Sequence, residues 1–143
     1  MKITVICVGD LEQKFREIFD NFYKKITFIA ELKITQIKEI NDKNIDIKIK
    51  KETKLILEKI PKNSLVFLCS LNGVQYDSES FSHFFDNSNL TFVIGGSNGV
   101  DEKYFDKKIS FSKMTFPHQL FRIMLIEQIY RSLTIKKNIK YHK

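Results

Sequence analysis

Tryptophan is missing from this chain of 143 residues, proline and cysteine each occur twice, and glycine occurs five times. Cys7 and Cys69 sit inside the apolar runs 3–8 and 65–69. Two such cysteines exclude a disulfide-stapled scaffold and favour buried thiols in a reducing compartment. The three histidines, His83, His118 and His142, show none of the close ligand spacings of zinc sites, so no metal is expected. No apolar stretch approaches the ~20 residues that span a bilayer. The first apolar run stops at Gly9-Asp10, too early for a signal-peptide core. The chain is therefore expected to be cytoplasmic, with no membrane partner. Acidic side chains are absent after Glu127, where Arg131, Lys136, Lys137, Lys140 and Lys143 follow. Much of the formal charge of +7 thus gathers at one end, a distribution suited to contacting phosphates as well as to simple solubility.

A hydrophobic fraction of 43% in a chain of this length indicates one globular domain, 1–143, with a proper core. Residues 2–8 read as a β-branched strand. Phe15, Ile18, Phe19, Phe22, Tyr23 and Ile26 recur at helical spacing and predict an amphipathic helix over about 11–25. A second strand is expected within 27–38. Ile45, Ile49, Glu52, Ile56 and Ile60 trace one mostly apolar face of a lysine-rich helix closed by Pro61. Residues 65–70 form a continuous apolar strand of the kind buried on both faces of a parallel sheet. Asp77 or Ser78 can cap a short helix bearing Phe81, Phe84 and Phe85. Another buried strand spans 90–94, one or two helical turns 101–107, and a short strand 108–111. Such alternation points to an α/β fold with a mostly parallel sheet, where ligands bind at the carboxyl ends of strands.

Two loops lie at those ends. The first, Ile94-Gly95-Gly96-Ser97-Asn98-Gly99, lets backbone approach a small molecule, and its glycines are free to adopt positive φ. It is neither the dinucleotide fingerprint nor the P-loop, and taken alone it is also an ordinary strand-to-helix connection. The second, residues 110–116, leads into a helix that Thr115 can cap and that holds Pro117 in its first turn. Leu120, Phe121, Ile123, Met124, Leu125, Ile126, Ile129, Tyr130 and Leu133 cover nearly the whole circumference of that helix. It must be buried on more than one side, by the sheet and a second copy of the chain or within the monomer core. Glu127 and Arg131 stand four apart, in the order that favours an ion pair.

Four segments together carry a resemblance. They are Ile94 to Gly99; Ser110-Phe111-Ser112-Lys113-Met114-Thr115-Phe116-Pro117-His118-Gln119-Leu120 with Arg122; Glu127-Gln128-Ile129-Tyr130-Arg131; and Tyr141-His142-Lys143. The amino-terminal Met1-Lys2-Ile3-Thr4-Val5-Ile6 with Val8-Gly9 fits as well. The chain resembles, from end to end, the small SPOUT-class bacterial methyltransferases that modify N3 of a pseudouridine in 23S rRNA. It departs from that pattern at Cys69-Ser70, where the family carries leucine followed by an acid. It departs again at Gly73-Val74, where the family carries glycine and lysine.

The resemblance implies a homodimer with a carboxyl-terminal trefoil knot, S-adenosylmethionine as cofactor, and 23S rRNA in the ribosome as substrate. It further implies cofactor contacts from Cys69, Gly95, Phe111, Ser112, Lys113, Met114, Thr115 and Phe116. Methylating N3 requires removal of a proton that lies between two carbonyls. His142 is the candidate base, and Tyr141 and Arg131 are its neighbours in the catalytic group. His118 is expected to anchor the start of the last helix. Related readings stay open on sequence: a SPOUT enzyme acting on another rRNA or tRNA nucleotide, or a non-catalytic RNA-binding dimer.

Overall fold

The computed structural model describes residues 1–143. Five parallel strands form one sheet: β1 (Lys2–Val8), β2 (Glu31–Ile37), β3 (Leu65–Gln75), β4 (Asn89–Ile94) and β5 (Lys108–Ser110), in spatial order β2-β1-β4-β3-β5. Four helices accompany them: α1 (Gln13–Thr27), α2 (Ile45–Lys59), α3 (Ser78–Ser82) and α4 (His118–Lys136). The nearly continuous apolar strands β1 and β4 sit inside the sheet, and the more polar β2 takes an edge. Ile3, Val5 and Cys7 of β1 join Leu90, Phe92 and Ile94 of β4 in one core, which α1, α3 and α4 cover. Ile6, Val8 and Val93 point to the other face, where Ile56 of α2 and Phe105 close a smaller core. Both faces of the sheet are therefore dry, as an all-parallel sheet requires.

Most expected elements stand where periodicity puts them, and the differences have physical reasons. β3 runs to Gln75 rather than ending at Ser70, because Val74 and Gln75 pair with Ile109 and Ser110 after a register shift. The 101–107 stretch makes a single 3₁₀ turn, Glu102–Tyr104. Thr115 does not cap α4. The helix begins at His118 with Pro117 at its cap position and no side-chain cap bond, since a residue preceding proline is pushed out of helical conformation. On α2, Ile45 is exposed while Lys48, Glu52, Thr53 and Ile56 are buried, so the inward face of its first turns is polar. At the short helix, Asp77 rather than Ser78 supplies the cap, accepting from Ser80 N–H at 2.7 Å. That bond holds the Asp77 carboxyl below the usual carboxylate range.

Two packing contacts fix the geometry around the last helix and the last strand. α4 packs against α1 and α3, burying Ile123, Leu125, Ile126, Ile129 and Leu133 within one chain while Leu120 stays exposed. Most of its apolar circumference is thus satisfied by the monomer, which the all-round pattern alone left open. At β5, Gly73 lies against the backbone of Ile109: a Cβ at Gly73 would fall within 2.6 Å of the N, Cα and C atoms of Ile109. Only glycine allows the chain from Cys69 to Val74 to pass so close to the strand it pairs with.

Candidate active site

Three segments, the middle of β3 where its register shifts and the carboxyl ends of β4 and β5, wall a cavity of about 580 Å³. From β3 come Cys69, Ser70, Leu71 and Asn72. The glycine loop after β4 adds Gly95, Gly96, Ser97, Gly99 and Val100, and the stretch from Ile109 to His118 completes the wall. The glycine loop closes on itself as Gly99 N–H donates to Gly96 O at 3.0 Å. Of its glycines only Gly99 uses the freedom to take positive φ, at 78°. At Gly95 the need is room, since a Cβ there would lie 2.9 Å from Val100 Cγ1 and 3.2 Å from Gly99 C. The third wall is braced internally: Ser110 Oγ donates to Ser112 O at 2.8 Å, and Met114 N–H donates to Ser112 Oγ at 3.0 Å. A cavity of this size, with apolar walls, exposed glycine backbone and a few polar groups at its edge, fits a nucleoside-sized ligand.

Of the cofactor residues expected from sequence, Cys69, Gly95, Phe111, Ser112, Met114, Thr115 and Phe116 line this cavity. Lys113 does not: its side chain is exposed and lies outside the lining. Cys69 is half-buried rather than fully enclosed, and desolvation pushes its thiol up, so it stays protonated. Sequence reasoning missed Glu102 and Asn72. Glu102 accepts from Ser70 Oγ at 2.8 Å and from Asn72 Nδ2 at 3.2 Å, and its carboxylate lies 3.7 Å from Lys108 Nζ. An acid therefore does reach the first wall, from the 3₁₀ turn rather than from position 70. Its one sequence signal is an acid three residues past the last loop glycine. His118 also lines the cavity, with a buried Nδ1 that has no partner.

The three expected catalytic residues meet each other but not the cavity. Arg131 donates to Glu127 Oε1 through Nη2 at 2.6 Å and Nε at 3.0 Å, the pair anticipated from their spacing. Tyr141 O–H donates to the same oxygen at 3.0 Å. Arg131 lies over the Tyr141 ring, 4.9 Å from its centroid, and its Nη1 stands 3.1 Å from His142 Nδ1. Arginine only donates, so Nδ1 of His142 accepts and carries no proton. Its Nε2 faces Glu79 at 3.8 Å. Glu127 raises the pKa of Arg131, while burial, followed by Glu127, raises that of Tyr141. Neither group gives up its proton near neutrality.

Beside this cluster runs a second groove of about 600 Å³, lined among others by Phe22, Tyr76, Met124 and Glu127. It shares only Ile109, Ser110 and Phe111 with the cavity. Those residues form a partition between the chain's own tail and its own cavity. No three His, Cys, Asp or Glu side chains are grouped so as to hold a metal ion, and no helix is long and apolar enough to cross a membrane.

Residues 1–142 match the family model described as "Predicted SPOUT methyltransferase". A protein of Mycoplasma mobile named Ribosomal RNA large subunit methyltransferase H is 64% identical over 143 residues, covering 100% of both chains. Proteins of the same name from Metamycoplasma arthritidis and Fusobacterium nucleatum are 57% and 42% identical, again over 100% of both chains.

Proposed function

The chain belongs to the SPOUT methyltransferase family, and from that premise we propose that it methylates N3 of a pseudouridine in 23S rRNA of the large ribosomal subunit. In this reading residues 1–143 are one methyltransferase domain, S-adenosylmethionine occupies the cavity at Gly95, and two copies form the working enzyme. A ribosomal substrate puts its work in the cytoplasm. The observation that carries the reading is the cavity itself, built by three segments far apart in sequence, seven of whose lining residues are those the resemblance assigns to the cofactor. The same reading includes a carboxyl-terminal trefoil knot in each copy.

S-adenosylmethionine, when bound, supplies a methyl group on a positively charged sulfur. The glycine loop and the 110–118 wall orient that group toward the incoming base, and such positioning contributes much of the rate of an in-line displacement. In that transfer the cofactor would give up its methyl group to N3 and its sulfur would keep the electron pair of the broken bond, while the His142 imidazole would take the N3 proton. Arg131 stabilises the negative charge that develops on the base, and Tyr141, held protonated, offers a donor. Within one chain the basic nitrogen of His142 is engaged by Arg131 and lies behind the Ile109–Phe111 partition. A two-fold partner that brings its own tail to the open side of the cavity removes the partition, and the incoming base takes the place of Arg131 at His142 Nδ1, which frees the imidazole to accept the proton and Arg131 to meet the developing charge. Exposed Leu120 and half-buried Met124 on α4 give such a partner an apolar face.

Calorimetric titration of the purified protein with S-adenosylmethionine, and methylation of ribosomes and of naked rRNA fragments with the modified base identified by mass spectrometry, test the reading. Failure to bind S-adenosylmethionine leaves only an RNA-binding role for the fold. A further expectation concerns salt. Ribosome affinity should fall by orders of magnitude between about 50 and 200 mM salt, as for a protein that neutralises several phosphates. A flat response in a binding assay removes the cationic tail from RNA recognition.

A further inference from the structure

We propose that Lys48, acting with Glu39, is a positioning residue for the cavity: from α2 it holds the glycine loop in its ligand-ready shape without lining the cavity itself. The inference rests on the cofactor reading above.

The first turns of α2 bury charge where its later turns bury Ile56. Lys48 is 8% exposed and Glu52 fully buried. Lys48 Nζ donates to Glu39 Oε1 at 2.7 Å and to Asn98 Oδ1, in the glycine loop, at 2.8 Å. Ser97 Oγ donates to the same Glu39 oxygen at 3.3 Å. One turn further along, Thr53 Oγ1 accepts from Asp101 N–H at 3.0 Å, just past the loop. Glu52 Oε2 accepts from Ile40 N–H at 2.9 Å, and its other oxygen is buried without a partner, at the position where a Cβ on Gly96 would lie 3.1 Å away. The middle of the loop at Asn98, the chain just past it at Asp101 and the 39–40 segment that supports it are thus tied to one polar stripe on α2. Hydrogen bonding between Lys48 and Glu39 raises the one pKa and lowers the other, so the pair stays charged across the neutral range.

Such an arrangement is a poor way to gain stability. An ion pair whose Glu39 carboxylate is half exposed adds little net stability, and the unpartnered buried oxygen of Glu52 carries a desolvation cost. What the charged residues provide and apolar ones cannot is a directional hold on Asn98 and Ser97. The loop needs it: a wall made of glycine backbone has no side chains to lock its shape, and freezing glycine on ligand binding costs more entropy than freezing other residues. A loop fixed beforehand binds more tightly because that ordering is already done. Neither Lys48, Glu39 nor Asn98 is among the cavity-lining residues, so their effect on a ligand is transmitted through the loop.

The test uses full-length protein, S-adenosylmethionine titrated by calorimetry, and thermal melting. Lys48→Met is expected to weaken binding about tenfold, within the range for residues that act on a site without touching the ligand, while the melting temperature is unchanged or higher. Asn98→Ala, which releases the same hold from the exposed side, should give the same loss, and Lys48→Arg should restore most of it. Wild-type affinity in both Lys48→Met and Asn98→Ala overturns the proposal. So does a lower melting temperature in Lys48→Met accompanied by equal loss of affinity in Ile56→Val, which weakens α2 packing without touching the loop. Absence of binding by the unaltered protein removes the cofactor reading and this inference with it, whereas binding by the unaltered protein and equally by the variants removes the inference alone.

Discussion

Deleting residues 141–143 is expected to lower methyl transfer to ribosomes by a factor on the order of 10² to 10⁴, the usual contribution of a positioned acid–base group. Affinity for S-adenosylmethionine should stay close to that of the intact chain. The division follows from geometry. The tail cluster of Glu127, Arg131, Tyr141 and His142 contributes no lining residue to the cavity, so its removal opens no gap in the cofactor walls. His142→Ala should reproduce most of the loss, because Arg131 and Tyr141 hold their protons and neither can take over as base. Mixing the His142→Ala protein with a second inactive variant altered only in the cavity separates the two arrangements. If each cavity uses its partner's tail, mixed dimers regain activity in proportion to the sites that have both parts intact. Recovered activity in the mixture supports the shared site. Loss of cofactor binding on deleting the tail contradicts it.

Gly73→Ala should be the most damaging single methyl group in the protein. Its Cβ would come within 2.6 Å of the main chain of Ile109, and backbone cannot rotate away as a side chain does. Overpacking of this kind costs about 3 kcal/mol or more when nothing yields, which for a chain of this size lowers the melting temperature by roughly 10 °C. Gly99→Ala is the matched control. That residue has φ of 78° but open space around the added carbon, so the cost is the ~1–2 kcal/mol of left-handed backbone alone. Chemical denaturation of the two variants gives the comparison. Equal stabilities would mean that the 70–73 segment swings clear of β5 and that the close approach to Ile109 is not an obligate part of the fold.

Elements are legible in the sequence wherever hydrophobic spacing is decided locally. The α1 helix, with Phe19 and Ile26 buried, and the strands β1 and β4, dry on both sides, announce themselves by spacing. Structure and expectation part where a neighbour distant in sequence overrides the local pattern. β3 is longer than its apolar run because Val74 finds a partner in Ile109. The inward face of α2 carries Lys48 because Glu39 and Asn98 meet it there, and nothing in a run of lysines marks which one will be buried. Glu102 reaches the cavity only because the 3₁₀ turn sets it beside Ser70 and Asn72. Lys113 stands in the segment expected to hold the cofactor yet stays out of the lining, since a motif names a segment and not which of its side chains will face a cavity.

Residue order alone settled the class of fold, the two loops at strand ends and the family, because hydrophobic period, glycine placement and a string of long motifs are properties of the linear chain. Folding in space settled the rest: which wall each loop supplies, that the tail rests on its own α4 on the far side of a three-residue partition, and that a glycine must sit against Ile109. Those outcomes depend on distances between residues tens of positions apart, and such distances arise only when dry faces close on one another and buried polar groups find partners.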